Sequence, residues 1–170
     1  MNIVVLTAAG SGTRMHQDIP KQFIHVDNKP IIVYTMEAFE NHPSIDAIVV
    51  VTLESWKEVL YAYAKQFNIS KLKIVVDGGS TGQESIYNGL KAAEKVYGTD
   101  GNTIIIHDGN RHLCPMKLFR MRWQLISSGE VQWQQYHVLK LYFLVKMEYM
   151  QKIVFREKNY SEHRHLTYMI

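Results

Sequence analysis

The chain has 170 residues, of which 46% are hydrophobic and 21% charged, as is usual for a globular domain. No apolar run approaches the roughly 20 residues that cross a bilayer, and the start "MNIVVLTAAG" lacks the cationic region of a secretory signal. The single cysteine, Cys114, has no partner for an internal disulfide. We therefore expect a cytoplasmic protein without a membrane span.

The net charge of +3 is the sum of two unlike parts. Residues 1–110 carry 9 Lys and Arg against 12 Asp and Glu, whereas residues 111–170 carry 10 against 4. A basic tail with interleaved aromatic residues is one signature of a polyanion-binding module. This tail, however, shows neither a sustained apolar face at helical spacing nor a nucleic-acid motif. We expect no nucleic-acid partner and no membrane partner, and polyanion binding stays the least favoured alternative.

Apolar runs alternate with amphipathic segments through the first 111 residues. In chain order, the pattern predicts strand Asn2–Ala8, helix Lys29–His42, strand Ala47–Thr52, helix Glu54–Asn68, strand Leu72–Gly79, helix Gly82–Gly98 and strand Asn102–Gly109. Strands that alternate with helices predict an α/β fold with a doubly wound, mostly parallel, Rossmann-like sheet. Such sheets bind ligands at the carboxyl ends of their strands, so the informative loops are Ala8–Gln22, Asp77–Ser85 and His107–Arg111.

The first of these loops is glycine-rich and carries two cations. Gly10 and Gly12 follow the first strand, where backbone N–H groups can converge on phosphate oxygens. Neither the dinucleotide fingerprint nor the Walker phosphate loop is present, and an ordinary tight turn explains the glycines equally well. Arg14 and Lys21 favour a ligand, because they could neutralise a triphosphate and the charge that develops during phosphoryl transfer.

The other two loops add further candidates. "VVDGGSTGQES" is again glycine-rich and places Ser85 near the start of a helix, although a turn with a helix cap would look the same. Asp108 comes directly after a buried strand, where its carboxylate could hold Mg²⁺ against phosphates, and Arg111 is close enough in sequence to bind a second anionic group. We expect His107 to be a packed histidine rather than a ligand.

Together these motifs resemble one enzyme family. "AAGSGTRM", "PKQF", "GG" followed by "ESIYNGL", and "HDGNR" stand in the order and at the spacing of the cytidylyltransferases that act on sugar-alcohol phosphates. That family comprises the 2-C-methyl-D-erythritol 4-phosphate and the ribitol-5-phosphate cytidylyltransferases, which serve isoprenoid biosynthesis and the synthesis of teichoic acid or capsule precursors. The resemblance covers Met1 to about Arg111.

The resemblance implies an activity, a cofactor and a set of site residues. CMP would pass from CTP to a sugar-alcohol phosphate with release of pyrophosphate, and Mg²⁺ would be the cofactor. The implied residues are Ala8, Ala9, Gly10, Gly12, Gly79 and Ser85 for the nucleotide, Arg14 and Lys21 for catalysis, Asp108 for the metal, and Arg111 for the acceptor phosphate.

After Arg111 the chain departs from the family pattern. In the family that arginine is followed by proline, and later segments resembling "SAVAAIPCTEAV" and "REKLFRTQTP" supply acceptor-binding residues and part of a dimer arm. None of these segments is present as written. We therefore do not expect this C-terminus to support the family homodimer.

A change of reading frame would explain the departure. Residues 109–170 contain neither Ala nor Asp, although both are frequent before that point. When the tail is back-translated with allowed codons and read from the third base of each codon, three separate segments permit the family-like texts "DEVISDALA", "SAVAAIPCTEAVF" and "RTQTPY", in one frame and in the right order. A divergent or recombined C-terminal region is the alternative.

The sequence thus predicts two parts with different properties. Residues 1–111 would be the CTP-binding half-domain of a nucleotidyltransferase, and residues 112–170 an out-of-frame tail without a specified tertiary fold. The enzyme would be impaired in this form. A catalytically inactive nucleotide-binding fragment remains the main alternative, and the sequence does not choose between erythritol and ribitol acceptors.

Overall fold

The computed structural model describes residues 1–10, 19–111 and 143–146, and of the last four only the backbone. The strands are β1 (Asn2–Ala8), β2 (His25–Val26), β3 (Lys29–Pro30), β4 (Ala47–Thr52), β5 (Leu72–Asp77), β6 (Thr103–Asp108) and β7 (Phe143–Lys146). The helices are α1 (Ile31–Glu40), α2 (Lys57–Gln66) and α3 (Gly82–Tyr97), and short 3-10 helices cover Lys21–Phe23 and Glu54–Trp56.

The main sheet has the strand order β5-β4-β1-β6-β7. Strands β1, β4, β5 and β6 run parallel, with Val5 of β1 beside Val49 of β4 and Ile106 of β6. All six residues of β4 are buried, as expected for a central strand covered on both faces. The predicted α/β fold with a mostly parallel sheet is confirmed.

Successive side chains of the central strands point to opposite faces, and each face has its own apolar core. On one face, Val4 and Leu6 of β1 belong to a cluster with Met36 of α1 and Leu60 of α2. On the other face, the cluster consists of Ile3, Val5, Val49, Val51, Leu90, Ala93, Ile104, Ile106 and Ala47. The sheet is therefore a middle layer between α1 and α2 on one side and α3 on the other.

Gly89 sets how closely α3 approaches the sheet. A Cβ atom at this position would lie 2.5 Å from Cγ1 of Val5 and 2.7 Å from Cγ2 of Val51, closer than carbon atoms approach one another. The absence of a side chain therefore lets the helix backbone rest directly on β1 and β4. This contact holds the amino-terminal turn of α3 near the carboxyl ends of the strands.

Two features of the strand pairing were not predicted from the sequence. A hairpin pairs β2 with β3, and its two turn residues, Asp27 and Asn28, have φ angles of 49° and 62°. Asp and Asn tolerate this left-handed conformation, which two-residue hairpin turns require. Because Lys29 and Pro30 belong to the hairpin, α1 begins at Ile31 rather than at Lys29.

The second unpredicted feature is β7, which pairs antiparallel with β6 from Thr103 to Ile106. It gives β6 a neighbour on the side away from β1. The rest of the predicted out-of-frame tail, 112–142 and 147–170, lies outside the described residues. Within the part of the chain that the structure describes, no helix has the length and apolarity to cross a membrane.

Candidate functional site

A pocket of about 190 Å³ opens at the carboxyl ends of β1 and β6. It is lined by Thr7, Ala8, Ala9, Gly10, Lys21, Gln22, Gly82, Ser85, Asp108 and Asn110. From β1 the chain crosses to β4 and β5 on one side, and then returns to β6 on the other side of β1. The pocket thus lies at the switch point of the strand order, where open α/β sheets bind their ligands.

The end of β1 supplies the first wall of the pocket. Ala8 is buried, Ala9 is half-buried and Gly10 is exposed, so the backbone rises out of the core over these three residues. A Cβ atom at Gly78 would clash with the Cβ of Ala9, which means that the second glycine-rich loop rests against the first. The predicted nucleotide residue Gly12 and the predicted catalytic residue Arg14 lie outside the described residues.

Lys21 reaches the pocket from a short segment that is anchored on both sides. Pro20, Gln22 and Phe23 are buried, whereas Lys21 between them is exposed. The ring of Phe23 stacks on Trp56 with 4.3 Å between ring centroids. Lys21 is the one cation among the described residues that line the pocket. The buried residues on either side of it fix the position of its backbone.

Ser85 connects α3 to the second glycine-rich loop. Its hydroxyl accepts a hydrogen bond from the Gly79 N–H at 3.0 Å and donates one to the Thr81 carbonyl at 3.0 Å. The helix cap is Thr81, whose hydroxyl accepts from the Glu84 N–H. Ser85 is therefore not the cap, and its side chain orders the loop at the edge of the pocket.

Asp108 and Arg111, which the sequence analysis assigned to different ligands, bond to each other. Arg111 Nε donates to Asp108 Oδ2 at 2.7 Å, and the Thr7 hydroxyl donates to Asp108 Oδ1 at 3.2 Å. Asp108 lines the pocket, whereas Arg111 stands beside it. The two side chains are 46% and 38% exposed, so both remain open to a ligand.

His107 is packed, as expected. It is 4% exposed, its ring meets Phe39 edge-on with 5.5 Å between centroids, and its Nε2 lies 3.0 Å from the Arg111 carbonyl oxygen. Burial lowers the pKa of His107 below its ordinary value, because it penalises the charged imidazolium. The neutral ring supports the turn that follows β6.

The described residues contain no group of three or more His, Cys, Asp and Glu side chains that could hold a metal ion unaided. Mg²⁺ does not require such a group, because nucleotide-binding proteins hold it with one or two carboxylates while substrate phosphates supply further oxygens. Asp108 offers one such carboxylate at the pocket wall. Arg111 donates a hydrogen bond to Oδ2 of Asp108, so Arg111 would have to share this oxygen with the ion or release it.

The pocket therefore brings together many of the predicted site residues. Ala8, Ala9, Gly10, Lys21, Ser85 and Asp108 line it. Gly79 and Arg111 do not line the pocket, but each bonds to a residue that does: Gly79 to Ser85, and Arg111 to Asp108. Sequence reasoning missed Thr7, Gln22, Gly82 and Asn110, of which Gln22 gave a signal: it is a polar residue next to Phe23 in the "PKQF" motif.

The sequence of this chain is similar to that of known enzymes. A family model described as 2-C-methyl-D-erythritol 4-phosphate cytidylyltransferase matches residues 2–130, beyond the end at about Arg111 that the motifs indicated. A ribitol-5-phosphate cytidylyltransferase of Vibrio parahaemolyticus is 44% identical over 130 residues, which are 75% of this chain and 54% of that protein. A 2-C-methyl-D-erythritol 4-phosphate cytidylyltransferase of Clostridium botulinum is 46% identical over 110 residues, 65% of this chain and 46% of that protein. The chain thus spans about half the length of the curated relatives it matches.

Solved structures share the fold. The 2-C-methyl-D-erythritol 4-phosphate cytidylyltransferase of Francisella tularensis superimposes with a TM-score of 0.66 at 20% identity, covering 96% of this chain and 82% of that one. The 4-diphosphocytidyl-2C-methyl-D-erythritol synthase of Anaerococcus prevotii gives a TM-score of 0.65 at 17% identity, covering 97% of this chain and 78% of that one. At these identities the likeness concerns the fold.

Proposed function

Because the chain belongs to the 2-C-methyl-D-erythritol 4-phosphate cytidylyltransferase family, we propose that it binds CTP in the pocket between β1 and β6 and descends from an enzyme that transfers CMP to a sugar-alcohol phosphate. The observation that carries the proposal is the convergence of Lys21, Ser85 and Asp108 on one pocket beside the Ala8–Gly10 backbone. These residues come from three separate loops of the sequence.

The reaction is a direct displacement at phosphorus. An oxygen of the acceptor phosphate attacks the α-phosphorus of CTP, a new P–O bond forms, and the bond to the bridging oxygen breaks as pyrophosphate leaves. No covalent enzyme intermediate is needed, so the protein contributes positioning and neutralisation of charge. This requirement suits a pocket whose described lining has one lysine, one carboxylate and a glycine-rich backbone.

The site residues divide this work between them. Lys21 would balance the negative charge that grows on the phosphoryl oxygens in the transition state. Asp108 would hold Mg²⁺, which neutralises the triphosphate when it is bound. Ser85 would keep Gly79 in place beside the nucleoside, because its hydroxyl bonds the Gly79 N–H. Arg14, assigned by the sequence motif, would act beside Lys21.

The acceptor is a sugar-alcohol phosphate, and relatives of both kinds match this chain. Arg111 would bind the acceptor phosphate after its bond to Asp108 opens. An exposed ion pair of this kind contributes about 1 kcal/mol or less, so a phosphate dianion can compete for the guanidinium. The choice between methylerythritol phosphate and ribitol phosphate depends on contacts beyond these residues.

A second candidate is nucleotide binding without turnover. It is favoured by the absence, as written, of the family's acceptor-binding segments after Arg111, although the family model matches on to residue 130. The frame hypothesis adds that residues 112–170 replace the segments that hold the acceptor. Under that hypothesis the chain as given would bind CTP with little or no transfer.

One pair of measurements tests both candidates. Calorimetric titration of CTP with Mg²⁺ measures binding, and release of pyrophosphate from CTP is followed with methylerythritol phosphate and, separately, with ribitol phosphate. Binding with turnover on one acceptor supports the transferase and identifies its substrate. Binding without turnover on either acceptor supports the second candidate, and absence of CTP binding would refute both.

A further inference from the structure

Gln22 holds the backbone at the end of β1. Its Nε2 atom donates to the carbonyl oxygen of Ala8 in a close hydrogen bond and lies 3.2 Å from the carbonyl oxygen of Gly10. One carboxamide thus bridges two carbonyls on either side of Ala9. The bonds join the Lys21–Phe23 segment to the Ala8–Gly10 segment, and both line the pocket.

The bridge lies in the interior of the protein. Gln22 is 1% exposed, and the residue after it, Phe23, is stacked on Trp56. A buried amide is costly unless its donors find acceptors. Here the acceptors are carbonyls of the loop itself. An apolar side chain of similar size would fill the space and leave both carbonyls without this donor.

The bridge also sets the direction of the neighbouring backbone donors. The described residues contain no cis peptide bond. In a trans peptide the N–H points opposite to the C=O of the same unit, so fixing the Ala8 carbonyl towards Gln22 fixes the direction of the Ala9 N–H. Donors with fixed directions bind an anion more tightly than donors that must first be ordered.

We propose that Gln22 is a positioning residue: it holds the Ala8–Gly10 backbone in the conformation that receives nucleotide phosphates, and it couples that backbone to Lys21. This inference rests on the proposed function, because it takes CTP as the ligand of the pocket. Gln22 acts through the loop and requires no contact with CTP itself.

Two substitutions separate positioning from simple packing. Gln22→Met keeps the length and removes both donors, and we expect CTP affinity to fall about 10- to 100-fold, the value of two hydrogen bonds. Gln22→Glu keeps the shape, but an ionised carboxylate has no donor and would face two carbonyls. Its protonated form regains one O–H donor. Relative to the unsubstituted chain at each pH, its CTP affinity should therefore recover from about pH 8 to about pH 5, whereas that of Gln22→Met should not.

Amide hydrogen exchange without nucleotide provides a readout that is independent of CTP. Gln22→Met should speed exchange at Ala8–Gly10 and leave β5 (Leu72–Asp77) unchanged, since β5 has no part in the bridge. Gln66→Met, at an exposed position in α2, is the matched control and should change neither region. If Gln22→Met does not fold, loop exchange in Gln22→Glu without nucleotide, compared with the unsubstituted chain at each pH, decides the matter, because it is free of the repulsion between CTP and a carboxylate that lines the pocket.

The outcomes separate this inference from the function on which it rests. Unchanged loop exchange and unchanged CTP affinity in Gln22→Met, or equal speeding of exchange in the loop and in β5, would overturn the positioning role while CTP binding stands. If the unsubstituted chain does not bind CTP, the proposed function fails, and the nucleotide role of Gln22 fails with it. Amide hydrogen exchange at Ala8–Gly10 in Gln22→Met would still show whether Gln22 holds that backbone segment.

Discussion

Arg111 Nε donates to Asp108 Oδ2 at 2.7 Å, so the candidate metal ligand and the candidate acceptor ligand neutralise each other in the structure. Both side chains are more than one-third exposed, and solvent screens the attraction between them. A cation at Asp108 would have to share Oδ2 with Arg111 or displace it, and a displaced Arg111 would be open to an anion. The pair therefore places two opposite charges beside the pocket without closing it.

The first prediction concerns the carboxylate of Asp108. In Asp108→Asn, CTP affinity should no longer rise when Mg²⁺ is added, because the amide loses the charge that attracts the hard cation. Calorimetric titrations with and without Mg²⁺ measure the difference. Asp77→Asn is the matched control: Asp77 ends β5, is paired with Lys57 at 2.6 Å, and does not line the pocket. Equal Mg²⁺ dependence in Asp108→Asn and the unsubstituted chain would refute the metal role.

The second prediction concerns the contact of α3 with the sheet. Gly89→Ala should lower the free energy of unfolding by about 1 to 3 kcal/mol, because the added methyl group must displace Val5 and Val51. Gly82→Ala, in the first turn of the same helix, has open space at the Cβ position and should leave stability unchanged or raise it by up to about 1 kcal/mol. Urea unfolding of both variants tests this contrast, and equal stabilities would contradict it.

A third prediction follows from Glu40, which accepts hydrogen bonds from the Ser70 hydroxyl and the Lys71 N–H. Burial raises the pKa of Glu40, but these hydrogen bonds outweigh it, and the pKa lies below the ordinary value. A carboxyl with a lowered folded pKa adds stability above its unfolded pKa and loses it as the pH falls through the folded pKa. Glu40→Gln should thus be less stable than the unsubstituted chain at about pH 7, and the difference should shrink towards about pH 3.

Thermal unfolding over this pH range measures the effect. Glu58→Gln, at an exposed position in α2, controls for the loss of a negative charge. A difference for Glu40→Gln that stays constant with pH would show that the carboxylate bonds do not contribute as described.

The fourth prediction concerns the reading frame. Restoring the frame immediately after Arg111 should convert a chain with little transfer into an active cytidylyltransferase, because the hypothesised frame permits the family-like acceptor segments. Oriented reactants can reach effective molarities of about 10⁵ to 10⁸ M, so loss of acceptor positioning costs many orders of magnitude in rate. Pyrophosphate release by both chains, with each acceptor, gives the comparison. Comparable turnover by the chain as given would mean that its present tail is functional.

The strands of the main sheet and the helices that pack on it could be predicted, because each shows its apolar pattern within its own segment of the sequence. Ala47–Thr52 is an unbroken run of small and β-branched residues, and such a run forms a central strand wherever both faces are covered. The hairpin before α1 could not be predicted in the same way. Its strands are two residues long and leave no periodic pattern, and its turn residues, Asp27 and Asn28, are equally common in loops.

Those site residues that lie at or just after the ends of strands could be predicted. Asp108 closes β6, and the rule that ligands bind at carboxyl ends is sufficient to select it. The hydrogen bonds of Gln22 were not predictable, because its partners Ala8 and Gly10 are backbone carbonyls that a sequence does not distinguish from any others; only its place in the "PKQF" motif gave a signal. Ser85 was found, but its contact with Gly79 depends on how α3 is placed on the sheet.

The stack of Phe23 on Trp56 gives the protein a built-in optical reporter. Indole emission responds to the polarity and contacts of its surroundings, and this indole lies against the residue two positions after Lys21. Of the three tryptophans, Trp123 and Trp133 fall in the tail and can be replaced by phenylalanine to remove their background. The remaining fluorescence would then follow any movement of the Lys21–Phe23 segment as a ligand arrives, in real time and without a label.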